Sequence, residues 1–157
     1  MSDMLVRLYD LENCNNEIEE LQKDGIIIKT AMSPDLYEIT RWITKNFREC
    51  WAGEASKAIL STPSTCFIAV HEKKLVGFAC FDATARGFFE PTGVSESMRG
   101  KGIGKVLLLK TLNAMYEYGY PYAIIGSAGP TKFYEKICGA VEIENSSPGY
   151  FRNNIKS

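Results

Sequence analysis

The sequence predicts an α+β fold, a mixed and mostly antiparallel central β-sheet flanked by helices. Two strand-like runs, CFIAVHE at 66–72 and KLVGFACFD at 74–82, are separated by a lysine-bearing turn, as an antiparallel hairpin requires. Beyond them, short apolar runs alternate with longer runs of helical period, which brings helices onto the faces of one sheet. The 157 residues, 45% apolar and 24% charged, suit a single domain with one core.

Each element follows in order. MLVRLY at 4–9 reads as a short strand and NNEIEELQKDG as a polar helix closed by Gly25. These first 24 residues are expected as a possible appendage. IIIKTAM at 26–32 is a β-branched strand. Ser33-Pro34 offers an N-cap and a proline at the first helical position. Leu36, Ile39, Ile43 and Phe47 then recur at three and four, one buried helical face. A shorter helix is expected over 50–60. After the hairpin, GFFEPTGV at 87–94 is a strand made irregular by Pro91 and Gly93. A long helix is expected over 103–118, a strand at YAIIGS (122–127), a helix over about 130–138, and weaker strands at AVEI and YFRNNI.

Several classes of function are set aside by bulk properties. A net charge of −1 gives no global basic field, so neither nucleic acid nor membrane is expected as a partner. No secretory signal is expected from MSDMLVRLYD, and no apolar run approaches the roughly 18 residues of a membrane span. Cys14, Cys50, Cys66, Cys80 and Cys138 are odd in number and widely spaced, which fits a reducing cytoplasm. The one histidine, His71, reads as a solvated turn residue, so no metal site is expected.

The stretch SMRGKGIGKVLLLKTL at 97–112 carries the chemistry. Gly100, Gly102 and Gly104 precede a helix whose first N–H groups are free and whose dipole is positive there. Arg99, Lys101 and Lys105 add cations. Such a loop is built to hold phosphate. It is not a Walker loop, because Gly104-Lys105 is followed by Val106 rather than a hydroxyl residue. It is not the dinucleotide pattern either, because the glycines are spaced G-x-G-x-G.

RGKGIG matches R-x-x-G-x-G, and KFYEKICGA at 132–140 follows about 30 residues later. With Val94 ending the preceding strand, these motifs make residues 66–144 resemble the GCN5-related N-acetyltransferase (GNAT) superfamily. The resemblance is weaker over 26–65 and is not claimed for the first 24 residues.

That resemblance implies direct transfer of an acetyl group from acetyl-CoA to an amine of a small molecule or peptide. Backbone amides from Arg99 through Gly100, Lys101, Gly102, Ile103 and Gly104 to Lys105 would grip the pyrophosphate. Two central strands would part so that the pantetheine arm pairs with exposed backbone. The amide of Val94 or Ser95 would face the thioester oxygen. Tyr134 would protonate the departing thiolate, and Glu90 would take the proton of the ammonium, with Asp82 a second candidate. Strict alternation sends Glu90 to the face of Val94 unless Pro91 and Gly93 shift the register. Members of the family often have an asparagine where this chain has Ser127, a shorter partner for pantetheine or Tyr134. Trp42, Trp51 and Glu54 are candidates to line the acceptor side, each with an ordinary reading as packing or surface. The competing reading is an acyl-CoA-binding domain without turnover, and a homodimer is left open.

Overall fold

β-branched and aromatic residues set out the sheet, and their alternation decides what covers it. A computed structural model describes residues 1–155. Its strands are β1 (Met4–Arg7), β2 (Ile26–Thr30), β3 (Cys66–His71), β4 (Lys74–Phe81), β5 (Phe88–Val94), β6 (Tyr122–Ile125) and β7 (Val141–Glu142). Its helices are α1 (Asn15–Lys23), α2 (Leu36–Asn46), α3 (Glu49–Leu60), α4 (Ile103–Glu117) and α5 (Thr131–Cys138). The strands form one sheet in the order β2-β3-β4-β5-β6-β1-β7, antiparallel at every pairing except β5 with β6.

Side chains on β4 point alternately to two cores, as a pleated strand covered on both faces must. Ala79 and Phe81 join a cluster with Leu107 and Leu108 of α4, whereas Phe78 and Cys80 join one with Ile39 and Ile43 of α2. α2 and α3 therefore cover one face, and α1, α4 and α5 the other. The β3–β4 hairpin closes through Glu72 and Lys73, both at positive φ, with His71 opposite Lys74. That is the two-residue turn whose twist suits a hairpin. His71 thus ends a strand rather than sitting in the turn, and its ring lies against Gly25.

The expected elements are present with three differences. Ser33 makes no side-chain cap; Ser33–Asp35 form a 3₁₀ turn and the helix proper starts at Leu36. YFRNNI is not a strand: Gly149–Phe151 form a 3₁₀ turn beside Pro148. Finally, the segment expected as a possible appendage supplies β1, which lies inside the sheet between β6 and β7. Met4 and Val6 are fully buried there. Among the described residues, no helix is long and apolar enough to cross a membrane.

Candidate active site

The site arises where two strands stop pairing. β5 and β6 are paired only at Phe88–Ile124 and Phe89–Ile125, while β5 continues against β4 as far as Val94. Beyond Phe89 the two strands part, and a cleft of about 880 Å³ opens between them. It runs from the start of α4, beside Val94, Arg99, Gly102 and Lys105, to the start of α3, beside Trp51 and Glu54, and Glu90, Ser127, Tyr134 and Phe151 line it as well.

The glycine loop is free to bind. Gly100 and Gly102 have φ of 83° and 86°, a conformation that costs an L side chain about 1–2 kcal/mol. Neither faces any atom within 4 Å of a built Cβ, so glycine serves there for backbone shape rather than for space. The amides from Gly100 to Lys105 donate to no protein acceptor among the described residues; the first helical bond at this end is Val106 N–H to Gly102 O. The Arg99 amide differs, reaching back to Glu96 O at 3.4 Å. Lys105 Nζ lies 3.9 Å from Glu17, and Lys101 does not line the cleft.

The two amides expected at the thioester differ in where they point. Ser95 N–H donates to Val76 O at 2.8 Å, and Ser95 does not line the cleft. Successive amides on a strand point to opposite sides, so the Val94 N–H is turned to the side that β6 has left. Ser95 is therefore removed as an oxyanion donor.

Glu90 reaches the cleft through a bulge. β4 and β5 pair Ala79 with Thr92 but Phe81 with Phe89, so Glu90 and Pro91 together oppose Cys80. The extra residue shifts the register, as a β-bulge does. Glu90 takes a φ of 144°, which is rare for a side-chain-bearing residue. Its carboxyl lies against Gly126, where an added Cβ would collide with Oε1. Burial chiefly, then the negative charges of Glu54 and Asp3, push its pKa up to about 9.

Tyr134, on α5, is buried with its ring edge-on to Phe89 and Phe133. Burial first, then Glu90 and Cys138, push its pKa up to about 12. Its hydroxyl has no hydrogen-bond partner among the described residues, and the residue lines the cleft. Ser127 sits at φ 45°, held there because its N–H donates to Asp3 Oδ1 at 2.8 Å. Its side chain is exposed at the cleft.

The other candidates separate cleanly. Asp82 is not at the site: Oδ1 accepts from Gly87 N–H and Oδ2 from the Tyr120 hydroxyl, so it fixes the 82–87 loop. Trp42 packs against Phe47 and Phe78 and leaves the cleft to Trp51. Glu54 lines the cleft and accepts a hydrogen bond from Thr84. Sequence reasoning missed Asp3, Gly126 and Phe151, which come from the chain's two ends and the β6 terminus. No local spacing marks them; only the strand order brings them together.

A family model described as the acetyltransferase (GNAT) family matches residues 34–140. The chain belongs to the GNAT acetyltransferase family. No curated protein matches it. Solved structures show the fold further. A fungal multi-domain GH3 β-N-acetylglucosaminidase with a glucosamine N-acetyltransferase region has a TM-score of 0.72 at 13% identity. A GCN5-related N-acetyltransferase from Sphaerobacter thermophilus has 0.70 at 20%, and a Drosophila protein 0.62 at 8%. Each match covers 90% of this chain, which spans 19%, 48% and 47% of those chains respectively.

Proposed function

We propose that this chain is an N-acetyltransferase that moves an acetyl group from acetyl-CoA directly to the amine of a small molecule or peptide, in a ternary complex. The observation that carries the reading is the run of free amides from Gly100 to Lys105 at the mouth of a cleft between parted strands. A diphosphate bound there meets six unpartnered donors and the start of a helix dipole. The pantetheine arm then pairs with the free edge of β5 beyond Phe89.

The residues divide the work by geometry. The Val94 N–H stabilises the oxyanion as the amine nitrogen attacks the thioester carbon. Glu90 takes the ammonium proton; its pKa of about 9 sits close to the roughly 10.4 of an alkyl amine, so the transfer is nearly matched. As the carbon–sulfur bond breaks, Tyr134 donates a hydrogen bond to the sulfur. A phenol at about 12 does not surrender its proton to a thiolate of pKa about 8.5, so the thiolate leaves stabilised and is protonated from water. Ser127, exposed at the cleft, offers its hydroxyl to the arm. Holding both reactants in one cleft supplies much of the acceleration. The reaction needs no metal, and the cytoplasm is the matching compartment for a protein with five free thiols.

The second reading, an acyl-CoA-binding domain without turnover, is favoured by one observation. Burial, then the negative charges of Glu54 and Asp3, favour the protonated carboxyl of Glu90, which is no base. Release of CoA thiol from acetyl-CoA across a panel of amines, at pH 7 and pH 9, decides between the two. Amine-dependent release that grows with pH supports the enzyme. Saturable binding with no amine-dependent release at either pH supports the binder.

A further inference from the structure

The acceptor end of the cleft has a wall from an unexpected part of the chain. The turn at Gly149–Phe151 crosses the junction of β5 and β6, where Phe88 packs against both Tyr150 and Phe151. The Phe151 ring then lies over Gly126, with two ring carbons 2.9 Å from a Cβ built at that position. Glu90 Oε1 lies against the same Gly126. Ring and carboxyl therefore meet over one glycine, and only glycine leaves room for both.

The turn is anchored at its base. Asp3 N–H donates to Ser146 Oγ at 2.8 Å, and Ser146 Oγ donates to Ile143 O at 2.6 Å. Ile143 N–H in turn donates to Asp3 O at 2.9 Å. The turn is thus tied to the segment that opens β1, and the Asp3 carboxylate ties that segment to Ser127.

We infer that the C-terminal turn, through Phe151, closes the acceptor end of the cleft over Glu90 and selects primary amines that carry an apolar body. This rests on the reading of the chain as an acetyltransferase. Glu54 from α3, joined by Glu90 from β5 once that carboxyl ionises, marks the ammonium position, and neither forms an ion pair with protein among the described residues. Trp51 and Phe151, which both line the cleft, supply the apolar surface for the rest of the molecule. Arg48, which caps the start of α3 and lines the cleft, repels a second cation on the acceptor. The groups that face Glu90 are Glu54, Asp3 and Tyr134, and the ring of Phe151 lies beside its carboxyl over Gly126. Phe151 is thus a specificity residue for the amine and a positioning residue for Glu90.

The test titrates CoA-loaded protein with phenethylamine, hexylamine and ethanolamine by calorimetry, in the wild type and in Phe151→Ala and Phe151→Leu. The wild type is expected to bind phenethylamine and hexylamine at least tenfold more tightly than ethanolamine. Phe151→Ala collapses that preference and leaves CoA affinity unchanged; Phe151→Leu keeps hexylamine and loses several-fold on phenethylamine. Carbon-13 NMR of the Glu90 carboxyl, identified by its loss in Glu90→Gln, gives a readout without turnover. Its midpoint should fall in Phe151→Ala as water enters. An unchanged preference and an unchanged midpoint in folded Phe151→Ala or Phe151→Leu overturn the inference. Failure of the acetyltransferase reading looks different: CoA itself then binds neither wild type nor variant.

Discussion

Glu90 and Tyr134 both hold protons at neutral pH, and that fixes what each substitution should do. The Glu90 carboxyl ionises near 4.5 when unfolded and near 9 when folded. Between those values the folded chain binds one more proton, so stability falls as pH rises, by about 1.4 kcal/mol per pH unit from this group. Glu90→Gln removes that dependence. Denaturant melts of wild type and variant at pH 5 and pH 9 should therefore converge at low pH and separate in the variant's favour at high pH. Activity runs the other way, because the base must be ionised. Wild-type kcat/KM should climb about tenfold per pH unit toward pH 9, and Glu90→Gln should lose both the climb and most of the rate. Tyr134→Phe should lower kcat by about tenfold to a hundredfold, the worth of one hydrogen bond to a charged sulfur, with CoA affinity intact. A stability loss with normal activity per folded molecule would assign Tyr134 to the core. Tyr134 could be singled out by its place in KFYEK, a local motif. Glu90 was legible only as a carboxylate on the right strand, because one extra residue opposite Cys80 decides which way it points.

At the scale of elements, what the sequence shows clearly is what local chemistry dictates. The hairpin at 66–82, the amphipathic helix from Leu36 and the glycine loop before α4 each have their cause within a few residues. The loop is the element most open to test. Gly102→Ala meets open space but must hold a φ of 86°, so it should cost about 1–2 kcal/mol of loop or cofactor stability. Gly102→Asp carries the same strain and adds a negative charge against the pyrophosphate. Calorimetry with CoA should show Asp weaker than Ala by a further tenfold or more, shrinking in high salt because the excess is electrostatic. Equal affinities for the two variants would mean that the loop does not face phosphate. The neighbouring elements that pattern did not reveal failed for one reason. Ser95 was separated from Val94 by a hydrogen bond to Val76, nineteen positions earlier, and YFRNNI reads as a strand only if no partner strand is demanded.

The whole molecule depends on its two ends in a way no local window displays. β1 fills the gap between β6 and β7, and Met4 stands opposite Ile125, the last β6 residue before the strands part. In sequence the first 24 residues, with the polar helix α1, read as a possible appendage. Alternation on β1 says otherwise, with Met4 and Val6 buried and Leu5 and Arg7 exposed. The two views predict different numbers. For a loosely attached segment, Met4→Ala would cost within about 0.5 kcal/mol, as surface changes do. For an interior strand it should cost about 2–5 kcal/mol, because a fully buried side chain leaves a cavity that its neighbours cannot refill. Leu5→Ala, at 37% exposure, should cost well under half of that and serves as the paired control. The consequence reaches the site, because β1 holds β6 and Asp3 holds Ser127. Met4→Ala should therefore also weaken CoA binding in the folded fraction, although residue 4 does not line the cleft. Denaturant melts of both variants, followed by CoA titration under folding conditions, check the two halves together. A large stability loss with unchanged CoA affinity would separate β1's structural role from the cleft's shape.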